Sequence, residues 1–431
     1  DGIQMTLLLM SQLIGVISVV ASSGVRERQR SYYVLLLLAQ TAVNGFIVAQ
    51  DAFVMVLFWS AAAVPLALLV AGWGGPRRIP AAWRLLAYWT LGSFFLLAAV
   101  LLLYGATGGA AFDLTTFTKA GLSPRVQVIA GALLVLAACT RLPLFPFQGW
   151  VRDAFAEAPV GVSVLIAGMA SRLGGVLLLE VLVAGLHDGA KLLGPFIAAI
   201  AVVTAVYAAV AAMRGADIRV RGAYLALVPG AVTALGISAL TPLSLIGTVL
   251  SLWAGGFAAA LIVGACAVVS ERGQSRNLDL LAGLAPRMPK LAWLFVIAGL
   301  AVLGIPGLAS FPADLMTLFG SFRTQPAGAF GVTAGLVLTG IAVAWLLGRV
   351  LFGPPSPDTP AASDASLAEV WFLGLLAGAL LWVGIVPGGP KLAGVPLFLD
   401  PGVVNVMNAS VGDLAAPYVS AGPSATAGTS P

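Results

Sequence analysis

Two arginines and one aspartate stand in a chain that is otherwise almost continuous hydrocarbon. Arg141 and Arg172 lie in TRLPLFPFQGWVRDAFAEAPVGVSVLIAGMASR, and Asp314 lies in GIPGLASFPADLM. Pro143 and Pro146 interrupt the run after Arg141, and Pro306 and Pro312 bracket a second interruption before Asp314. A charge at the centre of a membrane helix costs about 2.5–3.5 kcal/mol even on lenient insertion scales, so its default reading is functional. A proline break frees backbone groups that lipid cannot satisfy, and it is tolerated only against protein or water. A broken helix beside a buried charge is the layout of a membrane ion site. The chemistry open to these residues is the holding or passing of an ion, with Asp314 able to titrate.

Each residue also has a plainer reading. Arg141 can be a helix-end arginine that snorkels or ties down carbonyls; the adjacent break and Arg172 favour the ion path. Arg172 is surrounded by Gly168, Ala170, Ser171, Gly174 and Gly175, which allow close helix packing and place it inside the bundle. Glu180, eight residues further on, is either its partner or an interfacial residue, and the interface is preferred. Asp314 can be a helix cap after Pro312, and Asp51 reads as a turn or cap residue. Trp73, Trp83 and Trp89 read as interfacial anchors, and Trp59 and Trp150 as packing. Cys139 and Cys266 sit in apolar helices without metal or disulfide spacing, and the single His187 sits in a loop. No metal, haem, nucleotide, flavin or iron–sulfur motif is present, so no cofactor is expected in this chain.

The elements that position these residues follow from composition. Of 431 residues, 60% are hydrophobic and 9% charged, against about 25% charged in soluble domains. This is an all-α polytopic membrane protein. The rule of about 20 apolar residues per span places twelve helices at 3–22, 32–50, 52–72, 83–105, 125–147, 158–184, 190–213, 219–239, 243–269, 289–322, 327–352 and 367–386. The fifth is expected to break around 143–148 and the tenth around 306–312. Residues 387–431, rich in Gly, Pro and Ala, are expected to be an extended tail. The first span reads as retained rather than as a signal peptide, and a chain that starts at Asp1 suggests that upstream sequence exists or was removed.

The basic pI of 9.5 comes from cations in short loops, which is orientation charge and not a nucleic-acid face. Arginines cluster after spans 1, 3, 7 and 9, whereas the intervening loops hold few cations. By the positive-inside rule both ends of the chain face away from the cytoplasm. The two broken helices are five spans apart. Residues 32–184 and 190–352 are therefore expected to be two five-helix repeats, the second inverted, with 1–31 and 367–386 as flanking spans.

At the same residues the chain resembles the antiporter-like membrane subunits of respiratory complex I, most closely the subunit M branch. The superfamily includes Mrp-type cation/proton antiporter subunits and membrane-bound hydrogenase subunits. DAFVMVLFWSAAAVPLALLVAGWGG, RLPLFPFQGWVRDAFAEAPVGVSVLIAGMASRLG and GIPGLASFPADLM are similar in order and spacing to the family's motifs. Asp1-Gly2-Ile3 resembles the start of the family's third helix, so two helices are missing from this numbering. The resemblance implies a multi-subunit redox complex in a bacterial inner membrane, with other antiporter-like and small membrane subunits as partners. The redox centres would belong to other chains.

On that resemblance, the family's FWE glutamate falls at Ser60, and its two central lysines fall at Arg141 and Arg172. Its histidines fall at Gln148, Phe155, Pro229 and near Leu252, and the acid that marks subunit M falls at Asp314. Buried lysine can release a proton, whereas arginine stays charged. The implied axis is thus two fixed cations, one acid, and neutral groups such as Ser60, Gln148, Ser163, Ser171, Tyr224, Ser251 and Thr317. Three functions fit: a proton-translocating-type subunit with weakened or lost pumping, a structural paralogue in the membrane arm, or a subunit of an Mrp-type antiporter.

Overall fold

The computed structural model describes residues 2–109, 111–354, 363–385, 391–392, 395–396 and 403–419. Asp1 and the rest of the tail lie outside the described residues. The first half contains α1 (Gly2–Ala21), α2 (Gln29–Val48), α3 (Ala52–Ala61), α4 (Ala63–Trp73), α5 (Arg78–Ala106), α6 (Leu114–Lys119) and α7 (Pro124–Arg141). After the first break come α8 (Val151–Glu157), α9 (Val160–Leu165) and α10 (Leu173–Leu177). The second half contains α11 (His187–Met213), α12 (Ile218–Leu225), α13 (Val228–Ala239), α14 (Pro242–Arg272), α15 (Pro289–Val302), α16 (Ser310–Phe322) and α17 (Pro326–Phe352). It closes with α18 (Leu367–Ile385) and α19 (Val403–Val419).

Among the described residues, 11 helices are long and apolar enough to cross a membrane. The α15 and α16 pieces have 14 and 13 residues. At about 1.5 Å per residue each falls short of a roughly 30 Å hydrocarbon core, and together they make the expected broken span. Proline opens α7, α14, α15 and α17 at the first helical positions, where its missing N–H costs nothing. Asp51 caps α3 by accepting from the Phe53 and Val54 amides, and Asp217 caps α12 by accepting from Arg219 and Val220.

The axis of the bundle is α14, buried without interruption from Gly247 to Ser270. Lipid gives no hydrophobic drive between helices, so contact depends on small residues that let backbones touch. A Cβ on Gly247 would lie 2.5 Å from the Thr317 amide nitrogen, and one on Gly320 would strike the Ser244 amide. Those two glycines weld α14 to α16. The outer helices instead expose Trp293, Phe352, Phe94 and Phe330, side chains suited to acyl chains.

Loops after alternate spans meet on opposite ends. Arg84–Asp153, Arg276–Glu157, Arg272–Glu369 and Arg349–Asp279 pair loops on one end. Asp51 bridges Asp113, and Gln127 accepts from the Asp188 amide, on the other.

Four features depart from the sequence reading. The spans at 52–72 and 219–239, expected as single helices, are each interrupted, α3 from α4 at Ala62 and α12 from α13 at Ala226–Leu227. Pro65 and Pro229 follow, and the carbonyls four residues before them lose their usual donor. The sixth span contains two π-turns, Ile166–Ala170 and Leu178–Val183. Pro312 is not part of the second break: it is the third residue of α16, in the first turn. The tail is not wholly extended, because α19 docks on the bundle. Tyr418 donates to the Val183 carbonyl at 2.7 Å, the Gly2 amide donates to Ser410 at 3.0 Å, and Val411 and Ala415 are buried. Before it, Lys391–Leu392 and Val395–Pro396 form a short antiparallel pair.

Candidate functional site: a buried charged axis

Arg141 is the last residue of α7 and is fully buried. Its guanidinium lies 3.7 Å from the centre of the Trp89 ring and 4.7 Å from that of Trp59. It donates to the Trp59 carbonyl, and its Nε and Nη1 find no hydrogen-bond partner. Indole faces attract cations by about 2 kcal/mol or more when desolvated, so two aromatic faces and one carbonyl stand where a carboxylate would. Ser60, next to Trp59 in α3, makes no hydrogen bond to Arg141. Trp89 is therefore part of the cation's cage and not an interfacial anchor. Trp150 backs it edge-on at 5.5 Å and donates to the Thr140 carbonyl at 2.9 Å.

The chain after Arg141 answers for its backbone. The Phe145 amide donates to Thr204 Oγ1 at 2.9 Å, and the Phe147 amide to the Leu144 carbonyl at 2.7 Å. Pro143 and Pro146 sit in this stretch, with the Phe145–Pro146 bond cis. Gln148 opens the short turn into α8; it is buried and its Oε1 has no partner.

Arg172 lies just past the first π-turn, 1% exposed. Its Nε donates to the Ala167 carbonyl and its Nη2 to the Ala226 carbonyl, each at 3.4 Å, while Nη1 is unpaired. Both acceptors exist because helices are irregular there: Ala167 is in the π-turn, and Ala226 is at the α12–α13 interruption. Glu180 is not its partner; it sits partly buried in the second π-turn.

Asp314 is one turn into α16, whose N-cap is Ala309, so it is not a cap. Its carboxylate packs against Gly304 in the second break. With Ser251, Ser310, Pro229 and Gly255 it lines a cavity of about 10 Å³, close to the least space that holds one water. Ser251 shares a 3.0 Å hydrogen bond with Thr233. Pro306 lies in the break itself, where the Ala309 amide donates to the Leu380 carbonyl at 2.9 Å.

The expected polar axis is brought together only in part. Ser251 and Asp314 meet at one cavity. Ser163, Ser171 and Thr317 are buried, and their hydroxyls have no hydrogen-bond partner among the described residues. Tyr224 stands apart, lining a lateral groove edge-on to Tyr207 at 5.9 Å. Leucines pack close to this axis. Leu142 reaches within 3.3 Å of where a Gly230 Cβ would stand, beside Arg172 Nη1 at 3.7 Å. Leu252 packs on Gly175 beside Thr233. Sequence reasoning missed the Trp89 face and the Ala167 and Ala226 carbonyls. Among the described residues no three His, Cys, Asp or Glu side chains gather into a metal-holding group.

Over 364 residues the chain is 32% identical to NAD(P)H-quinone oxidoreductase chain 4 1 of a Synechococcus strain, covering 83% of this chain and 69% of that protein. A chain of Thermus thermophilus respiratory complex I with bound NADH superposes with a TM-score of 0.84 at 24% identity, covering 96% of this chain and 85% of that one. A chain of the Mrp complex from Dietzia sp. DQ12-45-1b also gives 0.84, at 18% identity over 98% and 85% of the two chains. These last two likenesses are of fold. The sequence pattern of one family matches residues 49–342. The chain is an integral membrane protein and belongs to the NADH:quinone oxidoreductase/Mrp antiporter transmembrane family.

Proposed function

We propose that the chain is a subunit M-like membrane subunit of a respiratory NADH:quinone oxidoreductase or a related redox complex, in which the first half holds a fixed cation and does not relay protons. The chain 4 relative supports the first part. One observation carries the second: Arg141 is closed between two indole faces and a carbonyl, with Ser60 beside it in place of an acid. A guanidinium does not give up its proton, and this site has no carboxylate to exchange with.

The two-repeat plan, 32–184 and 190–352, belongs to the same reading. Asp51 and Asp217 cap corresponding helices in the same way, and each sits in an isolated β-bridge, to Asp113 and Asn277. Each capped helix is then interrupted, with a proline three residues past the C-cap of its first piece, Ala62 before Pro65 and Ala226 before Pro229. Partners are other antiporter-like and small membrane subunits, the membrane is a bacterial inner membrane, and the basic loops face the cytoplasm. Electron carriers belong to other chains.

In this reading Asp314 is the one titrating group left on the axis. The test is the number of protons moved per electron pair by the intact complex in sealed vesicles, native against Asp314→Asn. A lower ratio with assembly and electron transfer intact is expected. An unchanged ratio makes the chain a membrane-arm spacer, a reading that the Ser60, Arg141 and Arg172 replacements favour. Sodium-dependent proton movement without electron transfer would point instead to an Mrp-type assembly.

A further inference from the structure

Beside the charged axis lies a groove of different chemistry. It measures about 780 Å³ and runs along the outer face of α11 to the start of α12. Its wall is a valine stripe, in which Val203 and Val210 are 43% and 38% exposed. Tyr207 and Tyr224 stand edge-on at its side. At its mouth are Arg152, in the first turn of α8, and Arg214, which ends α11; both are exposed.

Arg152 also lines a small cavity with Asp153, Glu157 and Asp217, but each of those carboxylates has another partner, Asp217 as the cap of α12. Asp153 is taken by Arg84, and Glu157 by Arg276. Neither Arg152 nor Arg214 makes a side-chain hydrogen bond or an ion pair among the described residues. The rim is held in place: buried Arg221 donates to the Gly215 carbonyl at 2.9 Å and lies 3.9 Å from the Trp345 ring centre. The arrangement is thus a fixed apolar trough under two free cations at the helix ends, on the same end of the bundle as the other basic loops.

We propose that this groove binds an anionic phospholipid, its phosphate between Arg152 and Arg214 and an acyl chain along the valine stripe. Charge complementarity selects this occupant. A basic pocket between spans on the cytoplasmic side fits an acidic headgroup, tyrosine belongs at the headgroup level, and the trough has the size of a ligand cleft. A neighbour's transmembrane helix would cover the valines but leave both cations unanswered. The inference is independent of how Arg141 acts.

The test is native mass spectrometry of the purified full chain in detergent, titrated with dioleoyl phosphatidylglycerol or dioleoyl phosphatidylcholine. Native protein is expected to retain one phosphatidylglycerol at concentrations where phosphatidylcholine is lost. The double substitution Arg152→Gln/Arg214→Gln should weaken that binding by roughly tenfold to thirtyfold, the scale of two interfacial cations. Val206→Trp, which fills the trough and leaves both arginines, should also displace the lipid. Equal retention of the two lipids, or an unchanged affinity in either well-folded variant, overturns the proposal. So does disulfide capture of another subunit by Val206→Cys in the intact complex, which would make the groove a protein interface.

Discussion

Arg141 and Arg172 solve the same problem by different means. Both are buried arginines, and neither has an acidic partner among the described residues. Arg141 is answered by π-faces and a carbonyl from the α3 end of an interrupted helix. Arg172 is answered by carbonyls alone, one from a π-turn and one from the α12–α13 interruption. The first site is tight and aromatic. The second is held by two 3.4 Å bonds at the long limit of hydrogen bonding. The difference teaches that an irregular backbone can stand in for a counter-ion, and that the aromatic version fixes the cation more firmly. A cation held in this way polarises its surroundings but exchanges nothing with them.

The largest expected effect comes from stripping the aromatic side. Trp89→Ala should cost about 3–5 kcal/mol, the range for a buried tryptophan, with a further penalty for the uncovered charge. Arg141→Met should cost less, about 1–3 kcal/mol, since it leaves only the Trp59 carbonyl unanswered. Arg172→Met should cost least, about 1 kcal/mol, because its bonds are long. Thermal unfolding midpoints of the purified chain in one detergent would rank the three. A ranking with Arg172→Met at the top would invert the comparison.

The contrast could also be purely electrostatic, with the first half silent only because it lacks a titrating pair. Ser60→Glu/Arg141→Lys restores the two residue types that the resemblance implies. The proton-to-electron ratio of the complex is expected to stay unchanged, because Leu142 packs beside Arg172 at Gly230 and Leu252 packs on Gly175, apolar side chains that offer a water no hydrogen-bond partner. A raised ratio would show that charge type alone separated the halves.

The sequence made the spans and the break after Arg141 legible, because hydropathy length and paired prolines are strong signals. It did not reveal the interruptions at Ala62 and Ala226. Pro65 and Pro229 fall in uniformly apolar runs, and the interruption lies three residues before each proline. The π-turns around Arg172 have no hydropathy signature either. Trp89 was misread because a tryptophan near a basic loop ordinarily anchors at the interface; only packing shows it fully buried against Arg141. The α19 helix was hidden because Gly- and Pro-rich sequence flanks it on both sides, although its own stretch is mostly apolar and docks through Val411 and Ala415 among others.

The smallest effects test whether the two interrupted helices are truly parallel devices. Asp51→Ala and Asp217→Ala each remove a carboxylate that accepts two amide hydrogens. Each should cost about 0.5–2 kcal/mol, as for other N-caps. They should not be equal in consequence. Asp51 starts the helix whose far end supplies the Trp59 carbonyl and ring to Arg141, two contacts of different kind. Asp217 starts the helix whose C-cap is Ala226, and so governs one long bond to Arg172. If the interruptions position the cations, pairing each cap variant with the matching arginine variant should give less than the sum of the two costs. The shortfall should be larger for Asp51 with Arg141 than for Asp217 with Arg172. Strict additivity in both pairs would mean that the caps hold only their own first turns, and that each arginine is positioned by the rest of the bundle.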